Sequence, residues 1–181
     1  MGHAASSSVV VRPATPLDLP VVQRLAHAIW HLHYPGIISV AQIDFMLARG
    51  YSDAALAQFC EDAGAGLALA ALDAEDVGYA AWRRSKIAGT THLDKLYVLP
   101  HLHGTGIGRR LIAHVEAAAR ADGSTSLALN VNRNNAGSIA AYRKWGFRVR
   151  ETVVADIGGG FFIDDYVMAR DITPADRDDL R

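Results

Sequence analysis

Three glycines spaced two apart, Gly104, Gly106 and Gly108, are the first sign of chemistry in this chain. They follow an apolar, β-branched stretch over residues 91–98 and a break at Pro100, and they precede a helical pattern in which Ile107, Leu111, Ile112 and Val115 share one face. Glycines at a strand-to-helix turn let backbone approach a ligand closely, and the first helical turn offers unpaired N–H groups to an anion. The stretch is therefore a candidate pyrophosphate cradle. It is not a dinucleotide fingerprint, which needs G-x-G-x-x-G after the first strand and an acid about twenty residues on. Nor is it a P-loop, because no G-K-[ST] run follows. Upstream, His92 and Asp94 lie two residues apart on the strand and so point to the same face. An imidazole with an ordinary pKa near 6.5 can accept a proton directly, and Asp94 can position a water or hold a cationic substrate. His31, His33 and Tyr34 form a second polar group, but H-x-H without a cysteine or another histidine pair is not a zinc site, and no metal is expected.

The elements that must hold these residues are legible in order. Val9-Val10-Val11 suggests a first strand. Thr15-Pro16-Leu17-Asp18 is a helix start, with an N-cap threonine, a proline at N1 and an acid at N3. That helix turns Val22, Leu25, Ile29 and Trp30 inward and stops at Pro35-Gly36. Ser39 with Gln42 reads as a capping box opening a helix through Ile43, Met46 and Leu47 that Gly50 closes, and Ser52 opens a third with Leu56, Phe59 and Cys60. Strands are expected over residues 67–72 and 77–82 with a polar turn at 73–76, then over residues 91–98 and 127–131. Asn134-Asn135 caps a helix through Ile139 and Tyr142 that ends before Gly146. Strands over residues 147–154 and 161–168 flank the Gly158-Gly159-Gly160 turn. The expectation is one mixed α/β domain over residues 1–181, with a βαβ crossover at its centre, hairpins on either side and flexible ends at 1–8 and 173–181.

Bulk composition narrows the classes. Half the residues are hydrophobic and a fifth charged, ordinary for a soluble globular protein. A formal net charge of −1 gives no electrostatic case for nucleic acid or an anionic membrane. The single cysteine excludes an intrachain disulfide and fits a reducing compartment. No apolar run approaches a transmembrane length, the start lacks a signal-peptide pattern, and the expected location is cytoplasmic.

The run His103-Gly104-Thr105-Gly106-Ile107-Gly108 resembles the [QR]-x-x-G-x-[GA] signature of the GNAT superfamily of N-acetyltransferases, with histidine where that family usually has arginine or glutamine. Asn135, Ser138, Tyr142, Gly146 and Phe147 are similar to its N-x-x-[AS]-x-x-x-Y-x-x-x-G-F element, and Leu96 to Pro100 to its preceding strand. The resemblance implies a GNAT fold: a central, mixed, mostly antiparallel twisted sheet with helices on both faces, in which two adjacent parallel strands splay apart. It implies acetyl-CoA as cosubstrate, its pantetheine arm lying in the splay against Leu96, Tyr97 and Val98. The Val98 N–H would face the thioester oxygen as a one-member oxyanion hole. The pyrophosphate would rest on amides from His103, Gly104, Thr105, Gly106, Ile107, Gly108 and Arg109, with Asn135 and Ser138 on the other side of the arm.

For catalysis the resemblance makes Tyr142 the proton donor to the leaving thiolate, as a phenol stays protonated at neutral pH yet can donate. His92 and Asp94 remain alternative bases. His33 and Tyr34, and the acidic pair Asp164-Asp165 after the triple glycine, fall where family members border their acceptor. The expected reaction is acetyl transfer from acetyl-CoA to a primary amine by direct attack. Either a small amine such as a polyamine or a protein amino group could be the acceptor, with a homodimer possible through exposed sheet edges. The alternative is an acyl-CoA-binding sensor that has lost catalysis but keeps the same cradle.

Overall fold

The computed structural model describes residues 8–173, so almost all of the two ends expected to be flexible lies outside the described residues. A seven-stranded sheet runs in the order β1-β2-β3-β4-β5-β7-β6. Its strands are β1 (Val9–Pro13), β2 (Gly66–Leu72), β3 (Glu75–Arg84), β4 (Thr90–Val98), β5 (Ser126–Asn132), β6 (Arg148–Gly158) and β7 (Phe161–Asp171). All neighbours are antiparallel except β4 and β5. Among the described residues five α-helices cover the sheet: α1 (Leu19–His33), α2 (Val40–Gly50) and α3 (Asp53–Glu61) on one face, α4 (Ile107–Ala121) and α5 (Ala136–Lys144) on the other. This is the fold expected from the sequence. Several strands run longer than the apolar pattern that announced them, because β6 is an edge strand whose outer residues face water and carry no hydrophobic signature.

Two cores sit on the two faces. One packs Leu93, Val98, Leu127 and Leu129 against Ile107, Leu111, Ile112 and Val115 of α4. The other packs Leu67, Leu69, Tyr79 and Ala81 against Val22, Ile29, Ile43, Leu47 and Leu56 of α1–α3. Thr15 begins the first helical run as expected: its N–H and hydroxyl both donate to Asp18 Oδ2, at 2.8 and 3.0 Å. Residues 16–18 wind as a 3-10 turn before α1. Ser39 and Ser52 cap α2 and α3 by accepting from the amides of Gln42 and Ala55. The reciprocal capping box at Ser39 does not form. Gln42 is buried, and its Nε2 donates 2.8 Å to the Phe162 carbonyl at the tip of the β6–β7 hairpin. Phe45 against Phe161, at 5.2 Å between ring centroids, and Arg49 donating to the Ile157 carbonyl complete that junction. The hairpin thus roofs one side of the sheet face beneath α2. No helix among the described residues is long and apolar enough to cross a membrane.

Behind the sheet, Glu116 of α4 is only 4% exposed and gathers three guanidinium groups. Arg170 Nη2 of β7 lies 3.1 Å away, Arg109 Nη1 3.4 Å and Arg120 Nη2 3.5 Å. Arg170 also donates 2.7 Å to the Trp145 carbonyl at the end of α5. One carboxylate therefore joins α4, β7 and α5. Removing it strands a nearly buried arginine, although the other two keep access to water and soften the loss. Glu116→Ala is expected to cost roughly 2–3 kcal/mol, somewhat below the figure for a wholly buried pair. Urea unfolding followed by tryptophan fluorescence should show a lower midpoint at unchanged slope; an unchanged midpoint would mean that the cluster contributes nothing.

Candidate active site

The parallel ladder between β4 and β5 ends early. Pairing runs from Thr90↔Ser126 to Leu93↔Leu129 and no further, while β4 continues to Val98 beside β3. The register between β3 and β4 slips by one at this point, from Ala81↔Lys95 to Trp82↔Leu93, leaving Asp94 as an unpaired bulge residue. Beyond the bulge, alternation settles where the backbone points. The Leu99 N–H donates to the Val77 carbonyl, so Tyr97 and Lys95 also turn their backbone groups toward β3. The N–H and C=O groups of Leu96 and Val98 turn the other way, into the gap. Tyr97 thus offers the gap no backbone group, contrary to its expected place among the cofactor contacts, because consecutive strand residues face opposite neighbours. Its ring packs toward α1, and its hydroxyl bonds that of Tyr34 at 3.0 Å.

The glycine turn leads directly into α4. Gly104 and Gly106 sit at φ +81° and +92°, a conformation that side chains rarely adopt. No side chain caps the helix, and its first internal bond is the Arg110 N–H to the Gly106 carbonyl. Among the described residues, the amides of Gly104, Gly106, Ile107, Gly108 and Arg109 therefore have no acceptor and suit an anion. Two expected contributors are spent inside the turn. The His103 N–H goes to the Pro100 carbonyl, and both the N–H and the hydroxyl of Thr105 go to the Leu102 carbonyl. The Arg109 side chain turns back to Glu116 and brings only its amide. His103 acts instead through its ring, whose Nε2–H donates 2.9 Å to the Val98 carbonyl and fixes the mouth of the gap.

A cavity of about 290 Å³ opens from this gap, lined by β4, β5, β7, α1, α2 and α5. On the α5 side, Asn135 caps its helix by accepting from the Ser138 amide at 3.3 Å, which orients its amide so that Nδ2 donates to His33 Nε2 at 3.1 Å. His33 is consequently an acceptor at Nε2, and burial, with His103 nearby, keeps its pKa below the ordinary value. Tyr142 lines the same cavity, its ring held against Trp145 and Phe147. Burial raises its pKa, and among the described residues its hydroxyl has no hydrogen-bond partner.

The α1–α3 face of the sheet carries the polar side chains. Arg83 Nε donates 2.8 Å to Asp94 Oδ2, Asp94 Oδ1 lies 3.6 Å from His92 Nδ1, and His92 Nε2–H donates 3.0 Å to Asn130 Oδ1. Burial pulls the His92 pKa down, but its bonds to Asp94 and Asn130 outweigh this and the net shift is upward. Asp94 is displaced upward by burial and further downward by His92 and Arg83, so it is held ionised. The acidic pair of β7 divides. Asp165 faces this cavity with its pKa raised, chiefly by burial. Asp164 points to the opposite face and pairs with Arg133 at 3.1 Å, so the two do not form the joint acidic site expected; strand alternation separates them. Lys95, absent from the sequence reading, lines the cavity, its Nζ 4.4 Å from the Tyr51 ring centroid. No group of three or more metal-ligating side chains comes together among the described residues.

The gap, the free amides and α5 fall together within residues 34–147, the part of the chain matched by the model of the acetyltransferase (GNAT) family. An uncharacterized N-acetyltransferase of Mycobacterium tuberculosis is 30% identical over 155 residues, covering 86% of this chain and 98% of that protein. The aminoglycoside N(6')-acetyltransferase type 1 of Stenotrophomonas maltophilia is 31% identical over 157 residues, 82% of this chain and 92% of its own. The PaiA N-acetyltransferase of Thermoplasma acidophilum, solved in complex with coenzyme A, superposes with a TM-score of 0.77 at 24% identity, covering 91% of this chain and 99% of that one. The chain belongs to the GNAT family of acetyltransferases.

Proposed function

We propose that this chain transfers the acetyl group of acetyl-CoA to a primary amine by direct attack in the cavity between β4 and β5. The observation that carries the reading is the meeting, in one cavity, of the gap-facing Val98 N–H and the unpartnered Tyr142 hydroxyl. Bound acetyl-CoA supplies an activated acyl group. The free amides from Gly104 to Arg109 suit its pyrophosphate, and the gap-facing backbone of Leu96 and Val98 suits an extended arm with amides of its own. The Val98 N–H stabilises negative charge on the acyl oxygen.

Proton traffic falls to three side chains. An amine with pKa near 10.4 is neutral in only about one molecule in a thousand at pH 7.4, a handicap of roughly 4 kcal/mol. His92 does not line the cavity itself but stands beside Asp94 and Asn130, which do, so it takes through a water the proton that the amine loses as its N–C bond forms. Asp94 orients the imidazole rather than acting as the base itself, since Arg83 already neutralises it. Tyr142 gives its proton to the sulfur as the C–S bond breaks; burial keeps that proton in place until it is needed.

Tyr142→Phe should lower kcat about 10- to 100-fold and leave acetyl-CoA affinity within twofold, read by thiol release and by calorimetric titration. An unchanged rate removes Tyr142 from the reaction. Acetyl-CoA binding with no thiol release across a broad amine panel would instead favour a binding module without catalysis.

Only neutral His92 accepts a proton, and its pKa lies above 6.5. The kcat/KM profile should therefore rise with pH through a midpoint above 6.5. Asp94→Asn removes the carboxylate that holds the proton on, so the midpoint should move down. His92→Gln should abolish this limb and cost about 100-fold in rate. If the limb survives in His92→Gln, the base lies elsewhere.

A further inference from the structure

Lys95 is the charged group that the proposed chemistry leaves without a task. It follows the bulge residue Asp94, and the inserted residue puts both side chains on the α1–α3 face instead of on opposite faces. Its stem is largely buried against Tyr51 and Phe59, with Nζ 4.4 and 5.6 Å from their ring centroids. Among the described residues no carboxylate lies within ion-pair distance of it and no acceptor takes its hydrogen bonds. Burial lowers its pKa to about 8, so at pH 7 roughly nine in ten molecules still carry the charge. A desolvated ammonium held only by the faces of two aromatic rings keeps part of its desolvation cost, and a bound anion relieves it.

The other charged groups of this face narrow what that anion belongs to. Asp94 is already held by Arg83 and His92. Asp165 lines the same cavity, and no ion pair among the described residues occupies it. Among the described residues, one cation and one carboxylate without an ion pair therefore face one small space, which the Gln42–Phe162 and Phe45–Phe161 contacts close on the hairpin side. A long polyamine would bring a second ammonium toward Lys95, and a folded protein would need a more open groove.

From this arrangement we infer that the acceptor is a small zwitterion, an amino acid whose carboxylate binds Lys95 and whose amine enters beside Asp165. The inference rests on the acetyl-transfer reading and adds the substrate class.

The test uses the full chain with acetyl-CoA and three acceptor sets: amino acids, their carboxamides, and polyamines. The wild type should favour the acids over the matching amides by about 10- to 100-fold in kcat/KM, the range of a charge-assisted hydrogen bond. Lys95→Gln should bring that ratio to about 1, and Lys95→Arg should retain most of it. Equal use of acid and amide by the wild type overturns the inference, and this comparison needs no variant to fold. So does a preference for polyamines, or a Lys95→Gln variant that keeps the ratio; in each case acetyl transfer itself stands. Acetyl-CoA binding with thiol release from no acceptor at all overturns the transfer reading and this inference together.

Discussion

The early end of the ladder between β4 and β5 is the constraint on which the rest depends. Backbone N–H and C=O groups away from bulk water must be paired, yet past Leu93 and Leu129 neither strand can satisfy the other. The bulge at Asp94 accompanies the break, as an extra residue bends its strand and re-aims its side chains. A gap of this kind persists only if the flanking strands are anchored elsewhere. β4 is held by β3 from Thr91 to Val98 on both sides of the bulge, and β5 by β7 from Ser126 to Asn132. The sheet thus keeps two strands apart by binding each firmly to its other neighbour.

Anchoring continues behind the sheet. Glu116 and Arg170 tie α4 to β7, while Trp145, through its carbonyl, ties α5 to the same arginine. The free amides of α4 and the ring of Tyr142 are therefore fixed relative to one another from behind the sheet. On the opposite face, the polar run from Arg83 through Asp94 and His92 to Asn130 crosses β3, β4 and β5. This chain is only partly shielded from water, and each member finds a partner within it. Lys95, beside it, has only the ring faces of Tyr51 and Phe59 among the described residues.

Helix starts, the glycine turn and the order of elements were readable because each is a local signal. Thr15, Ser39 and Ser52 cap helices in the sequence as they do in the structure. The site was less so, for two physical reasons. Spacing cannot show which amides of a turn are already spent, and His103 and Thr105 were credited with contacts that their own turn consumes. A bulge, in turn, breaks the period-two rule that assigns faces to strand residues, so nothing in residues 92–98 announced that Lys95 would join His92 and Asp94. Asp164 and Asp165 are the opposite case: alternation alone separates them, and reading them as a pair overlooked it. Gln42 reads as half of a capping box because the hairpin that claims its side chain lies 120 residues away in the chain.

A strand offers three directions at once, and β4 uses all of them. Its inner face gives Leu93, Leu96 and Val98 to the core under α4. Its gap-side backbone is left for an extended ligand, and its outer face presents His92, Asp94 and Lys95. Without the bulge these roles would compete: strict alternation would send Lys95 into the apolar core beneath α4, where a charge is far costlier. One inserted residue moves it to the α1–α3 side, the side proposed for the acceptor. The irregularity that accompanies the open backbone edge thus also sets the side on which this charge stands, so the two recognition roles proposed for β4 fit within nine residues of strand.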